Sequence, residues 1–454
     1  MHDVVLRTVV FPQSSTGENI KAAMIDTARF FNLQDKKIAY VTDQGANMVK
    51  ACRLAQVDRL GCIGHALHNL VMVDGIGKCP SIQNIIEKAK GIVNAFTFKT
   101  HTLENEAASM QNEVAINDLL TAADTLECDD LVGIIPEDDE EGLASVIDSA
   151  GPQIAPEQKT GSTTLKKVCP TRWNTILTML DSLIKNQDLV ERCLTKLRLF
   201  DKICKYDEWE IISSLAQFLR SFQTATAILS GAKYPTLSLV LLFRADIEQT
   251  LCVNDTDSSE IRTLKNCMLR ALPRRLPIGE LHVVSSLMDP SQRGLSSVRD
   301  YLAEHEITAV DILAKYIDKF VDPQADPNPI NSEPIGDQSD QTAAADQQPA
   351  CMKKAKFSLL AKHSMVTQTH QQEIQQYRCL SLPVDDPLDW WKSQAITFPH
   401  LSALAAAVFC IPATSTPSER IFSTAGVLLN AKRSSLAVGA VDKIIFIHEN
   451  SHLL

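Results

Sequence analysis

Between Lys99 and Lys159 the chain carries no lysine or arginine, while it holds 15 aspartates and glutamates. A stretch of one sign with no counter-charge resists packing, so it divides what folds before it from what folds after it. Its densest part, Glu137-Asp-Asp-Glu-Glu141, reads as a solvated, disordered loop. The net charge of −11 is concentrated in this stretch, because the remainder holds 44 basic and 40 acidic residues. Charge therefore neither supports nor excludes a nucleic-acid partner.

The two flanks differ in pattern. On the N-terminal side, residues 4–11 are short, apolar and β-branched and read as a strand. Ile20, Ala23, Met24, Phe30 and Phe31 then fall at helical spacing, in a helix expected to end near Asn32. Lys37 to Thr42 reads as a second strand, followed by a helix with Met48, Val49 and Cys52. Leu60-Gly-Cys-Ile63 reads as a short third strand before a helix with His65, His68 and Leu70. Ile82, Ile85, Ile86, Ala89, Ile92, Val93 and Phe96 make the clearest amphipathic helix of this part. Strands alternating with helices predict a parallel or mixed sheet.

On the C-terminal side the pattern is helical throughout. Trp173, Ile176, Leu177, Leu180 and Ile184 form one stripe. Trp209, Ile212, Leu215, Leu219 and Phe222 form another, and Ile261, Leu264, Met268 and Leu272 a third. Residues 321–356 are rich in Pro, Asp, Gln and Ala and read as a disordered polar linker. At 454 residues and 45% apolar, the chain can bury a large core and build two or three domains. Its 12 cysteines are scattered without a Cys-x-x-Cys pair, which suits reduced thiols in a cytosolic or nuclear protein. Met1-His-Asp-Val-Val does not read as a signal peptide, and the longest apolar run, Leu401 to Ile411, is too short to span a bilayer.

Two carboxylates stand out. Asp43, in Val41-Thr-Asp-Gln-Gly-Ala-Asn47, ends a strand and could hold a metal, cap the next helix or close an Asx turn. Glu419, in Thr416-Pro-Ser-Glu419, fits a capping box with Thr416 at the N-cap and Pro417 at the first helical position. The helix it opens would turn Ile421, Phe422, Ala425, Leu428 and Leu429 inward. Cys62, His65 and His68 stand at three-residue steps, but a closed zinc site needs four ligands and no second pair is nearby. In Cys169-Pro-Thr-Arg-Trp-Asn174, Arg172 and Trp173 could stack on a nucleic acid or pin two parts of the fold together. Lys353-Lys-Ala-Lys356 resembles a short nuclear signal.

Taken in chain order, these fragments resemble the hAT superfamily of transposases and the host zinc-finger BED proteins related to them. The order runs from the Asp43 strand through Cys62-x-x-His65, Arg172-Trp173, the stretch from Trp209 to Thr236 and Leu287-Met-Asp-Pro290. It ends at Ser418 to Gly426, followed by Lys432-Arg433. The resemblance implies a mixed α/β, mostly α fold. A truncated RNase H-like core (1–100) would precede the acidic loop (101–163) and be interrupted by an α-helical insertion domain (164–320). After the linker (321–356), residues 357–454 would form the helical hAT dimerisation region, matched best at about 385–450, and complete the core.

The same resemblance makes Asp43 the second catalytic acid and Glu419 the third, with His65, Arg172 and Trp173 at or near the site. In such a site carboxylates hold two Mg²⁺ ions, which activate the attacking oxygen and stabilise the leaving one. Phe422, Leu428, Leu429, Ile444 and Ile445 would serve dimerisation. The family's first acid lies on a strand upstream of residues 4–11, Asp3 falls on the wrong strand, and no BED finger precedes the core. The expectation is therefore a nuclear, vestigial protein that needs no cofactor, forms homodimers and has DNA as a candidate partner. No membrane or small-molecule substrate is expected. Two alternatives stand beside it. One is an active Mg²⁺-dependent transposase whose first acid lies upstream of this chain; the other is a helical scaffold in which Glu419 is only a cap.

Overall fold

A computed structural model describes residues 14–36, 38–97, 99–126, 164–169, 172–321, 369–380, 384–428 and 438–451, with the short pieces 4–6, 8 and 11. The described residues are mostly helical, with a single two-stranded parallel sheet among them. They divide into two compact units. The first comprises residues 1–74, 221–252 and 265–454; the second comprises 75–220 and 253–264.

In the first unit, α1 (Gly17–Phe30) starts at Thr16, whose side chain accepts from the Asn19 amide, and ends before Asn32, at φ 52°. It packs on α2 (Ala46–Ala55), which crosses over between β1 (Ala39–Thr42) and β2 (Asp58–Gly61). Parallel strands need such a crossover, and the register pairs Thr42 with Gly61. A Cβ on Gly61 would lie 2.2 Å from the Gln44 amide nitrogen, so this strand end has room only for glycine unless Gln44 moves. Helix α3 (Ile63–Asn69) leaves β2 directly and runs into a π-helical turn (Leu70–Gly75). There Asp74 is buried and held by Arg275 (2.5 Å) and Arg274 (3.0 Å).

The centre of this unit is α11 (Glu280–Met288), buried at every position from Leu281 to Met288. Its apolar residues and the polar His282, Ser285 and Ser286 are buried alike, and α13 (Ala309–Phe320) and α16 (Pro399–Phe409) pack on it. Its last carbonyls have no intrahelical partners. Tyr377 on α14 (His370–Cys379) donates to the Leu287 carbonyl (2.9 Å), and Trp391 on α15 (Pro387–Gln394) donates to that of Met288 (2.7 Å). Next to them Asp289 is buried, accepting from Ser238, Ser291 and Gln292. Also in this unit are α9 (Val240–Thr250), α12 (Ser296–Glu304), α17 (Thr416–Leu428) and α18 (Val438–Glu449), with α17 packed against α18.

The second unit holds α4 (Pro80–Ala95), α5 (Thr100–Leu126), α6 (Asn174–Lys185) and α7 (Gln187–Lys196), with α4 on α6 and α5 on α7. Two helices, α8 (Tyr206–Leu229) and α10 (Ser259–Arg275), contribute residues to both units. Trp209 of α8 donates to Glu191 of α7 (2.5 Å), and Glu208 pairs with Lys88 of α4 (2.5 Å).

Two expectations are corrected. Residues 101–126 are helical rather than part of an acidic loop, because α7 supplies the missing cations: Arg192 pairs with Glu113 (2.8 Å) and Lys196 with the buried Glu106. Residues 127–163 and 322–368 lie outside the described residues, and Lys353–Lys356 with them. The described residues between 4 and 11 form no strand. Side chains at the C-terminus capture their backbone instead: Asn450 pairs with both polar groups of Val5, and Asp442 accepts from the Thr8 amide. The strand at 37–42 and the short third strand are present as β1 and β2, and helix α3 claims Ile63.

Candidate functional site

The local structure around Asp43 is set by its own sequence. With Gly two positions on, the Asp43 carboxylate turns back and accepts from the Gly45 amide (3.0 Å), closing an Asx turn ahead of α2. Arg59, on the neighbouring strand, fastens the turn from the other side. Its guanidinium donates to the Thr42 hydroxyl (2.8 Å), to the Asp43 carbonyl and to the Gln44 side chain (3.4 Å). Asp43 itself is exposed.

Strand β2 hands over to α3 at Cys62, whose amide donates to the Thr42 carbonyl (2.7 Å). The Cys62 thiol is buried and accepts from two amides, His65 (3.4 Å) at the start of α3 and Ser415 (3.2 Å) at the head of α17. One residue on, the Ile63 amide donates to the Ala413 carbonyl (3.0 Å), while the Ala413 amide donates to the Thr236 hydroxyl (2.9 Å). These bonds join the end of the parallel pair to residues 413–415, and so fix where α17 begins.

Glu419 follows from that anchor. The Ser415 carbonyl accepts from the Glu419 amide (3.2 Å), which makes Ser415, not Thr416, the N-cap residue. The Ser415 hydroxyl donates to the Glu419 carboxylate (3.2 Å), and the Thr416 hydroxyl lies 3.2 Å from that of Ser230. Glu419 therefore stands one position beyond the one a capping box uses, and the Ser415 amide donates to the Cys62 thiol instead. Arg420 reaches the Ser230 carbonyl (3.3 Å). On α3, His65 and His68 stack with ring centroids 6.1 Å apart. Burial, and then the neighbouring His65, hold the His68 imidazole below its ordinary pKa, while Glu419 pulls it back upward.

Asp43 and Glu419 thus lie toward the same end of the β1–β2 pair, linked through Cys62 and Ser415, and His65 and His68 stand on α3, which starts at Cys62. Arg172 and Trp173 belong to the second unit. There Arg172 is exposed and Trp173 is buried at the start of α6. The Thr175 hydroxyl donates to the Arg172 carbonyl (2.7 Å) and accepts from the Cys169 amide (2.9 Å).

A two-metal centre needs several carboxylate oxygens converging on open space. Here Asp43 and Glu419 are each engaged by a local donor, and Arg59 places a fixed cation at the strand end. Among the described residues no group of three or more His, Cys, Asp or Glu side chains could hold a metal ion, Cys62, His65 and His68 included.

The candidate dimerisation residues separate into two kinds. Phe422 is 67% exposed and does not point inward as its position in the helical stripe suggests. Ile444 is 40% exposed, but Ile445 is fully buried within the chain and serves its own core. Phe446 and Ile447, not singled out from the sequence, are exposed beside Ile444. Leu428 closes α17, and Leu429, Lys432 and Arg433 lie outside the described residues. Ser415 and Arg59 escaped the sequence reading, and Cys62 was singled out there as a candidate zinc ligand rather than as the link to Ser415. The one available signal was the four-residue spacing of Ser415 and Glu419 on a helix.

The sequence matches one family model and several known proteins. The hAT family C-terminal dimerisation region matches residues 372–451, which cover α14 to α18. The human protein named "Zinc finger BED domain-containing protein 4" is 23% identical over 292 residues, 63% of this chain and 24% of that protein. The maize (Zea mays) protein named "Putative AC transposase" is 23% identical over 293 residues, 61% of this chain and 35% of that protein. The Talaromyces stipitatus protein named "Putative transcriptional regulator tpeD" is 22% identical over 284 residues, 61% of this chain and 30% of that protein. The chain spans about a quarter to a third of the length of these relatives.

Proposed function

We propose that this chain, which resembles hAT-superfamily transposases and BED-finger proteins, derives from such a transposase, acts by self-association and does not cut DNA. The observation that carries this reading is the contrast between two parts of the first unit. Its two motif carboxylates are spent on Gly45 and Ser415. Its hAT dimerisation region, by contrast, leaves Phe422, Ile444, Phe446 and Ile447 at the surface. The acids act as clasps, Asp43 for the turn before α2 and Glu419 for the head of α17, where the self-association helices begin.

The protein works in the nucleus as a homodimeric regulator of DNA-directed processes, with DNA as its second partner. Relatives named as a transposase and as a transcriptional regulator support that setting. Among the described residues no helix is long and apolar enough to cross a membrane.

The reading is tested by incubating the full chain with supercoiled plasmid and duplex oligonucleotides in Mg²⁺ or Mn²⁺. No strand cleavage is expected, and Asp43→Asn should behave as the wild type. Metal-dependent nicking that disappears in Asp43→Asn would establish the active-transposase reading instead. The placement of Asp43 and Glu419 at one end of the β1–β2 pair is what keeps that second reading worth the assay.

A further inference from the structure

We propose that His370 and His400 bind a divalent transition-metal ion such as Zn²⁺, with the buried Glu373 fixing the orientation of the His400 ring. The site needs neither the self-association surface nor the carboxylates of Asp43 and Glu419.

The arrangement starts at the head of α16. Its first amides have no intrahelical acceptors, and its N-cap residue, Phe398, offers no side-chain cap. Glu373 of α14 caps it from outside, one carboxylate oxygen accepting from the amides of His400 (3.0 Å) and Leu401 (3.1 Å). The other oxygen meets Nδ1 of the His400 ring at 2.6 Å. Glu373 has no exposed surface, so its carboxylate serves α16 and not water. A carboxylate only accepts, so the hydrogen of the ring contact belongs to Nδ1, and Nε2 of the neutral ring keeps its lone pair.

Histidines that hold metals are built this way: the ligating imidazole donates its other N–H to a carboxylate, which fixes the tautomer and the plane of the ring. A second imidazole stands beside it. His370, at the first position of α14, has its ring centroid 6.3 Å from that of His400, with the planes at 69°. Two imidazoles on one ion, with metal–nitrogen bonds of about 2.0 Å, put their centroids about 5 Å apart. The His370 ring has no hydrogen bond among the described residues, so rotation about its side-chain bonds can close the difference. Helices α14 and α16 pack together, which sets both ligands on regular elements. Imidazole nitrogen suits Zn²⁺, Ni²⁺ and Cu²⁺, whereas Mg²⁺ and Ca²⁺ favour oxygen. Two protein ligands are fewer than the four of a closed structural zinc site, so water completes the shell and the ion exchanges with solvent. His65 and His68 make the internal comparison: their rings lie 6.1 Å apart but stack at 19°, and neither is hydrogen-bonded to a carboxylate among the described residues.

Calorimetric titration of the reduced full chain with Zn²⁺, and separately with Mg²⁺, tests the site in the wild type and in His370→Ala, His400→Gln, Glu373→Gln and His65→Ala. The wild type is expected to take up Zn²⁺ and not Mg²⁺. Zn²⁺ affinity should fall at least tenfold in His370→Ala and in His400→Gln, and stay unchanged in His65→Ala. Glu373→Gln should weaken Zn²⁺ at a temperature where its circular dichroism matches the wild type, because the new amide can donate to Nδ1 and move the ring hydrogen to Nε2. Co²⁺ in place of Zn²⁺ should give a visible spectrum without the strong near-ultraviolet band of a thiolate ligand. A wild type that binds no Zn²⁺ would overturn the proposal, as would His370→Ala and His400→Gln variants that bind it as tightly as the wild type. A thiolate band with Co²⁺ would move the ion to a cysteine and overturn it equally, and an unchanged affinity in Glu373→Gln would remove Glu373 from the site.

Discussion

At the residue scale, Glu419 has two tasks that a single substitution separates. Its carboxylate takes the Ser415 hydroxyl and raises the titration point of His68, which burial otherwise depresses. In Glu419→Gln the first bond can persist while the charge is gone. The His68 titration point followed by NMR should therefore fall below its wild-type value, and an unmoved signal would mean that Glu419 does not face α3. His282 gives a second prediction. Burial drives it down to about 4 from 6.5, and its buried Nε2 has no hydrogen-bond partner among the described residues. The folded state therefore holds the neutral imidazole while the unfolded chain takes up a proton. That stability is complete above pH 6.5, declines as pH falls, and is lost in full, about 3 kcal/mol, below pH 4. Urea midpoints measured between pH 7 and pH 4 should show this decline, and His282→Phe should flatten it. At this scale the Asx turn was legible, because Asp-x-Gly encodes it locally. The start of α17 was not, because a thiol from a distant part of the sequence decides it.

At the element scale, α11 depends on neighbours that close its C-terminus. Trp391→Phe keeps most of the apolar volume but deletes the donor to the buried Met288 carbonyl. It should cost about 1–2 kcal/mol, read as a lower urea midpoint with an unchanged slope. No shift would mean the carbonyl finds another donor. The amphipathic stripes at Trp209, Ile261 and Ile82 were legible because their burial follows the helical period. Two other elements were obscured by interactions between distant segments. The β-branched run at 4–11 has strand propensity, but Asn450 and Asp442 take the place of a neighbouring strand. The acidic run after Lys99 lacks cations of its own, yet its first turns bury Leu103 and Glu106, with Arg192 and Lys196 paired to its carboxylates. Propensity and local charge cannot report a partner supplied from elsewhere in the chain.

At the scale of the whole molecule, the motif order suggested which pieces meet, and Cys62 and Ser415 provide the physical link that brings Asp43 and Glu419 to one end of the sheet. The site was only half legible. Residue types announced carboxylates, but only the fold shows that one oxygen of each accepts from a local donor and that Arg59 fastens the turn at Asp43. The other half is the surface that α17 and α18 leave uncovered, where Phe422 is exposed and Ile445 is buried. That surface carries the central claim. The most direct test is the sedimentation-equilibrium mass of the full chain at micromolar concentration. A mass twice the 50.0 kDa of one chain is predicted, reverting towards 50.0 kDa in Phe422→Arg; a wild-type mass of 50.0 kDa at every concentration would contradict it.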